Sequence, residues 1–143
     1  MSFIGIGIRW LFVLLLAASA IGKLADMPGF YAVIKSYALL PESVIPISAW
    51  ALAIVEFILA IWLVIGKRID VAAFVVIALH VVYLAWLMIA LARGLNIPNC
   101  GCFGVFWPRP LTWFTPVEDF VLLGLAILMW RDVNKKGLLE ITP

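Results

Sequence analysis

Four long apolar runs, at residues 4–21, 45–65, 71–91 and 114–130, occupy more than half of the chain. Lipid offers no partner to a backbone N–H or C=O, so a run of this length enters a bilayer only as a helix that satisfies its own backbone. Each crossing needs roughly 20 apolar residues, and 143 residues hold four of them with short connections and no separate soluble domain. Composition agrees: 66% of the residues are hydrophobic and 13% charged, with a mean hydropathy of +1.19, values outside the soluble range. The expected fold is all-α and integral to the membrane. It is a four-transmembrane-helix bundle forming a single domain over 1–143, with the lipid bilayer as its principal partner. No repeat or low-complexity segment interrupts it.

Two runs have competing readings. The first follows Arg9 with "LFVLLLAASA" and ends in Ala18-Ser19-Ala20, which fits the cleavage pattern of a secretory signal peptide. An uncleaved first helix is preferred, because its loss leaves three helices whose ends fall on opposite sides. The last run is only about 17 residues long, roughly 25 Å of helix. Glu118 and Asp119 near its start suit the positive end of a helix dipole and mark the headgroup region. Trp130 and Arg131 close its other end as an aromatic anchor and a charged stop.

The ten basic residues orient the bundle. Arg9, Lys67, Arg68, Arg131, Lys135 and Lys136 fall on the side of the termini, and Lys23, Lys35, Arg93 and Arg109 on the other. This bias puts both termini in the cytoplasm, as expected of a multi-pass protein of the inner (cytoplasmic) membrane. The charges are scattered in ones and twos, so no basic patch points to nucleic acid. Between the first two runs, "MPGFYAVIKSYALLP" places Phe30, Val33, Ile34, Tyr37 and Ala38 at helical spacing. This predicts a short amphipathic interfacial helix, either a lid beside the outer loops or interfacial padding.

Both cysteines fall in the loop between the third and fourth runs, in "RGLNIPNCGCFGVFWPRP". The topology makes this loop extracytoplasmic, where disulfides form and persist. Alpha carbons two residues apart in an extended chain lie about 6.5 to 7 Å apart, at the upper limit for a bridge, so the backbone must turn for Cys100 and Cys102 to meet. Gly101 permits the turn. A bridge closed over one residue constrains little chain entropy and makes a poor staple, whereas strained, exposed bridges are the labile or catalytic ones. Redox exchange is therefore the sharper reading of Cys100 and Cys102. Packing thiols and a copper(I) clip are the alternatives, and no metal is expected. The only histidine, His80, lies about 16 Å from the loop along its helix. Arg93 and Arg109 flank the loop and either lower a thiol pKa or serve as interfacial charges.

Ionisable residues inside apolar runs are functional candidates, because burying their charge is expensive. Glu56, in "ALAIVEFILAIW", suits proton handling beside thiol chemistry, or else a polar partnership across the bundle with Lys23, Arg9 or His80. His80 reads as a hydrogen-bonded bundle residue, and Arg9 as a side chain reaching back to the interface.

These residues together resemble the DoxX-like membrane proteins, and within them the MauE branch. The resemblance runs over nearly the whole chain: Gly22-Lys23, Phe30, Tyr37 and Leu39-Leu40-Pro41, then Glu56 and Gly66, then "RGLNIPNCGCFG" and "PLTW". Its most specific part is the segment from Arg93 to Gly104, and it departs at Glu118, where similar proteins often carry a base. The resemblance implies a membrane thiol/disulfide redox protein that supports maturation of extracytoplasmic disulfide-containing proteins. Cys100 and Cys102 would exchange with a periplasmic thioredoxin-like partner. By analogy with other four-helix thiol oxidases, the electron partner expected is a quinone. The competing class is a noncatalytic membrane anchor of a redox complex, its cysteine pair structural or copper-binding.

Overall fold

The computed structural model describes the backbone of residues 1–139 and the side chains of residues 1–135. Five helices and no strands are found among them: α1 (Phe3–Ala25), α2 (Met27–Ser36), α3 (Ile45–Ile65), α4 (Ile69–Ala92) and α5 (Phe114–Leu139). Of these, α1, α3 and α4 are long and apolar enough to cross a membrane. The chain is a membrane protein. The run expected at 114–130 is the first part of α5, which continues past Trp130 and carries acidic residues near one end and basic ones near the other.

Local chemistry sets the helix ends. Ser2 caps α1 by accepting from the Gly5 amide at 3.1 Å. Asp26 both ends α1 and caps α2, accepting from the Gly29 amide at 2.9 Å. That one residue ends the first long helix and starts the short one. Met27, Phe30, Val33 and Ile34 form the buried face of α2, as its spacing predicts, with Tyr37 buried just beyond it. Ala38, expected on the same face, instead leaves the helix with φ +51° and is exposed. Gly66 closes α3 in the left-handed conformation, its amide donating to the Trp62 carbonyl.

The bundle consists of two closely packed pairs, α1 with α3 and α4 with α5, which meet each other more lightly. Two apolar clusters fill it. One, around Phe12, Leu63, Val76 and Met129, occupies the half where Ser2 donates to Asp132 at 2.7 Å. The other, around Phe30, Ala49, Leu87 and Ile97, occupies the opposite half under α2 and the cysteine loop. Between them, at one level in the four long helices, the buried residues are polar: Ser19 and Lys23, Glu56, His80, and Asp119.

Candidate functional site

The cysteine loop is built from its own backbone. The Leu111 amide donates to the Ile97 carbonyl at 2.9 Å and the Cys100 amide to the Arg109 carbonyl at 2.8 Å, so the segment folds back on itself after α4. At its tip the Gly104 amide donates to the Gly101 carbonyl at 3.1 Å. The Asn99 side chain brackets this turn, accepting from the Gly101 amide at 3.0 Å and donating to the Gly104 carbonyl at 3.2 Å. Gly101 and Gly104 have φ of +76° and +70°, conformations that L side chains rarely adopt. Each also touches a helix: a Cβ on Gly101 would press into Val33 and Phe30 of α2, and one on Gly104 into the backbone at Gly22 and Lys23 of α1. Only glycines let the loop seat this closely.

The turn at Gly101 brings the two sulfurs together. Both cysteines are free thiols, Cys100 buried and Cys102 partly so, with Sγ atoms 2.8 Å apart and sharing a hydrogen bond. That shared hydrogen bond holds Cys100 down at about 6, helped by the Arg109 guanidinium and opposed by burial. The same bond and burial push Cys102 far above the ordinary thiol range. One sulfur is thus a thiolate at neutral pH while the other keeps the proton. Arg109 is itself held by Glu118, through contacts of 2.9 and 2.8 Å.

Both cysteine carbonyls are gripped by side chains from different helices. The Tyr37 hydroxyl, at the end of α2, donates to the Cys100 carbonyl at 2.8 Å. On α1, the single hydroxyl proton of Ser19 is shared between the Cys102 carbonyl at 2.6 Å and Glu56 Oε2 at 2.9 Å. Lys23 Nζ donates to both Glu56 oxygens, at 2.7 and 2.6 Å, and to Ser19 Oγ at 2.6 Å, and reaches the Cys102 carbonyl at 3.4 Å. Tyr83 completes the cluster by donating to Glu56 Oε1. The Lys23 and Glu56 side chains are 2% and 1% exposed, so this ion pair is sealed from solvent and its lone pairs and protons are satisfied by neighbours.

A second polar pair lies at the same level across the bundle. His80 Nδ1 bonds the Val76 carbonyl at 2.9 Å, and its Nε2 stands 4.0 Å from Asp119 Oδ1. Asp119 Oδ2 is buried with no hydrogen-bond partner among the described residues. Thiols, ion pair and His80–Asp119 pair all border one cavity of about 730 Å³ where the two helix pairs meet.

The structure therefore joins Cys100, Cys102 and Glu56 in one cluster, and settles Lys23, among the three candidates considered, as the partner of Glu56. Lys23 is consequently a bundle charge and not the headgroup charge that the orientation count made of it. Arg109 sits with the thiols, whereas Arg93 donates to the Tyr37 and Ala38 carbonyls at the end of α2. Arg9 donates to the Leu63 and Val64 carbonyls at 2.6 and 2.9 Å. Glu118 and Asp119, expected as two interfacial acids, part company: Glu118 pairs with Arg109, and Asp119 is buried beside His80. Consecutive residues on a helix point about 100° apart, and Asp119 faces the interior. Sequence reasoning also gave no role to Ser19 and Tyr83. Their signal was spacing: Ser19 precedes Lys23 by four residues and Tyr83 follows His80 by three, each on a shared helix face. Among the described residues, no group of three His, Cys, Asp or Glu side chains is placed to hold a metal ion.

The family described as methylamine utilisation protein MauE matches residues 1–131. The methylamine utilization protein MauE of Paracoccus denitrificans is 32% identical over 120 residues, covering 84% of this chain and 64% of that protein. The chain thus spans under two-thirds of that relative's length. No solved structure matches.

Proposed function

This chain belongs to the MauE family, and from that premise we propose that it is a membrane thiol/disulfide redox protein whose Cys100–Cys102 pair exchanges with a thioredoxin-like protein outside the cytoplasm. In this reading α5 is the fourth crossing of an inner-membrane bundle, both termini are cytoplasmic and the cysteine loop faces outward. The packing of α5 along α4, and the pairing of Ser2 with Asp132 at the end opposite the loop, support it. The observation that carries the function is the thiol pair itself: two free sulfurs 2.8 Å apart in a glycine turn, with Cys100 held at about 6.

The chemistry follows from that asymmetry. When the pair is a disulfide, a thiolate of the partner attacks one sulfur and the other leaves, and the sulfur with the lower pKa leaves faster. Cys100 is that leaving group, stabilised by Arg109, so attack falls on Cys102 and a mixed disulfide forms there. The partner's second thiolate then resolves it. The partner departs oxidised, and Cys100 and Cys102 remain as thiolate and thiol. The Ser19, Lys23 and Tyr37 contacts to the two cysteine carbonyls hold the turn while the sulfurs change bonding. Glu56 positions Lys23 and Ser19 for that task.

The test is a trap. With an oxidised thioredoxin-like protein added to membranes, so that the exchange runs in reverse, Cys100→Ser should accumulate a reductant-sensitive adduct through Cys102, because the neighbouring thiol that would close the disulfide and release the reduced partner is gone. An adduct in Cys102→Ser alone reverses the roles of the two sulfurs. Absence of any adduct in both variants contradicts exchange and favours a noncatalytic anchor.

A further inference from the structure

We propose that the cavity between the two helix pairs binds a lipid-soluble quinone, with His80 and Asp119 holding a ring carbonyl and the Cys100–Cys102 pair facing the ring. This inference rests on the redox reading of the cysteines and names the oxidant of that same site.

Three observations carry it. The first is size and access. A cavity of about 730 Å³ accommodates a substituted ring. Its wall includes Val82 of α4 and Val121 of α5, both exposed on the outside of the bundle. At that depth the outside is lipid, so a ligand soluble in the bilayer can reach it. The second is the distribution of polarity. The lining is mainly aliphatic and aromatic, and its charged groups fall in three pairs: Lys23–Glu56 beside the sulfurs, Arg109–Glu118, and His80–Asp119.

The third is the state of the His80–Asp119 pair. His80 Nδ1 is committed to the Val76 carbonyl, a bond only its N–H can make, so in the neutral ring Nε2 carries a lone pair, 4.0 Å from Asp119. That gap is too long for a direct hydrogen bond. Asp119 Oδ2 has no partner among the described residues, a costly state for a buried polar atom. The acid form of Asp119 donates to a carbonyl oxygen, and His80 Nε2, once its lone pair has taken up a proton from water, hands that proton to the carboxylate left behind. Lys23 and Glu56, by contrast, are fully engaged with each other and their neighbours. A flat apolar ring bearing a carbonyl, able to accept two electrons, matches both the cavity and the dithiol it borders.

The step balances. Two electrons leave the sulfurs as the Cys100–Cys102 bond forms, and the quinone takes them together with two protons. One proton comes from the Cys102 thiol and one from Asp119, whose carboxylate is then reprotonated from water through His80 Nε2. The products are the disulfide and the quinol.

The full-length protein in lipid nanodiscs, titrated with decylubiquinone, tests this. Saturable quenching of tryptophan fluorescence is expected for the wild type. His80→Leu and Asp119→Leu should each weaken binding about tenfold or more, the loss expected when a buried polar group loses its partner. Asp119→Asn, which keeps a donor of the same shape, should bind within about threefold of wild type but slow the loss of alkylatable thiols when quinone is added without oxygen. Unsaturable binding overturns the proposal. So does wild-type affinity in both leucine variants, and so does quinone that binds yet leaves both thiols alkylatable. A failure of thiol exchange alone has a different signature: quinone binds as described, and no mixed disulfide with a thioredoxin-like protein forms.

Discussion

Arg9 and Lys23 stand on the same helix and both reach α3, but they spend their charge differently. Arg9 is half-buried and donates to the Leu63 and Val64 carbonyls. These lie in the last turn of α3, where carbonyls lack a partner within the helix. It serves a helix end. Lys23 is sealed inside the bundle against a carboxylate, with Ser19, Tyr83 and a loop carbonyl around the pair. Burying an ion pair in this way is at best neutral for stability against a well-packed apolar alternative. Its placement under the cysteine turn therefore teaches where the molecule gives up stability for organisation. The bundle carries a polar layer at the depth where the thiol loop docks, and an apolar cluster on either side of that layer.

The largest expected effect breaks the sealed end. Lys23→Met leaves Glu56 buried without its cation, which should destabilise the protein by about 3–5 kcal/mol in an unfolding titration. The double variant Lys23→Met/Glu56→Met should recover most of that loss while leaving the loop less well held. If the single variant is as stable as the wild type, the buried pair does not organise this end.

A smaller effect tests the seat of the loop. Gly22→Ala places a methyl group against the Phe103 carbonyl, and the loop must shift off α1. The expected cost is about 1–3 kcal/mol, as for overpacking, together with faster alkylation of Cys102 as the turn loosens. Equal alkylation in both proteins separates the seat from the thiols.

Electrostatics at the thiols should be weaker again and visible mainly as pH dependence. Cys100 titrates at about 6, so its alkylation should be near its plateau at neutral pH and fall as pH drops through about 6, where the unreactive thiol replaces the thiolate. Arg109→Gln removes a stabilising cation and should move that midpoint upward. The smallest effect is at the other end. Arg9→Gln should cost about 1 kcal/mol, the net worth of a hydrogen bond to a helix end, and leave the alkylation profile of Cys100 unchanged.

Much of this arrangement was legible in the sequence because it depends on periodicity and on rare residues. Four apolar runs gave the long helices, though only α1, α3 and α4 are apolar enough along their length to read as spans on their own. The spacing of Phe30, Val33 and Ile34 gave the buried face of α2. A cysteine pair around one glycine gave the turn at Gly101. What the sequence hid was rotation. Whether Lys23 or Asp119 faces water or the bundle depends on how each helix is turned by its packing, and neighbouring residues share the same composition. Glu118 and Asp119 are adjacent acids, but one meets Arg109 at the loop and the other His80 in the interior. Tyr37 illustrates the same limit. Its place on an amphipathic face was readable, whereas its hydroxyl's grip on the Cys100 carbonyl needs the loop to fold beneath it.

The central claim is that Cys100 and Cys102 cycle between dithiol and disulfide. It is tested most directly by the mass of the chain after alkylation in native membranes, before and after addition of an oxidised and then a reduced thioredoxin-like protein. The account predicts that both cysteines shift together, gaining two alkyl groups in the reduced state and none in the oxidised one. Two thiols that stay alkylatable under both conditions would contradict it.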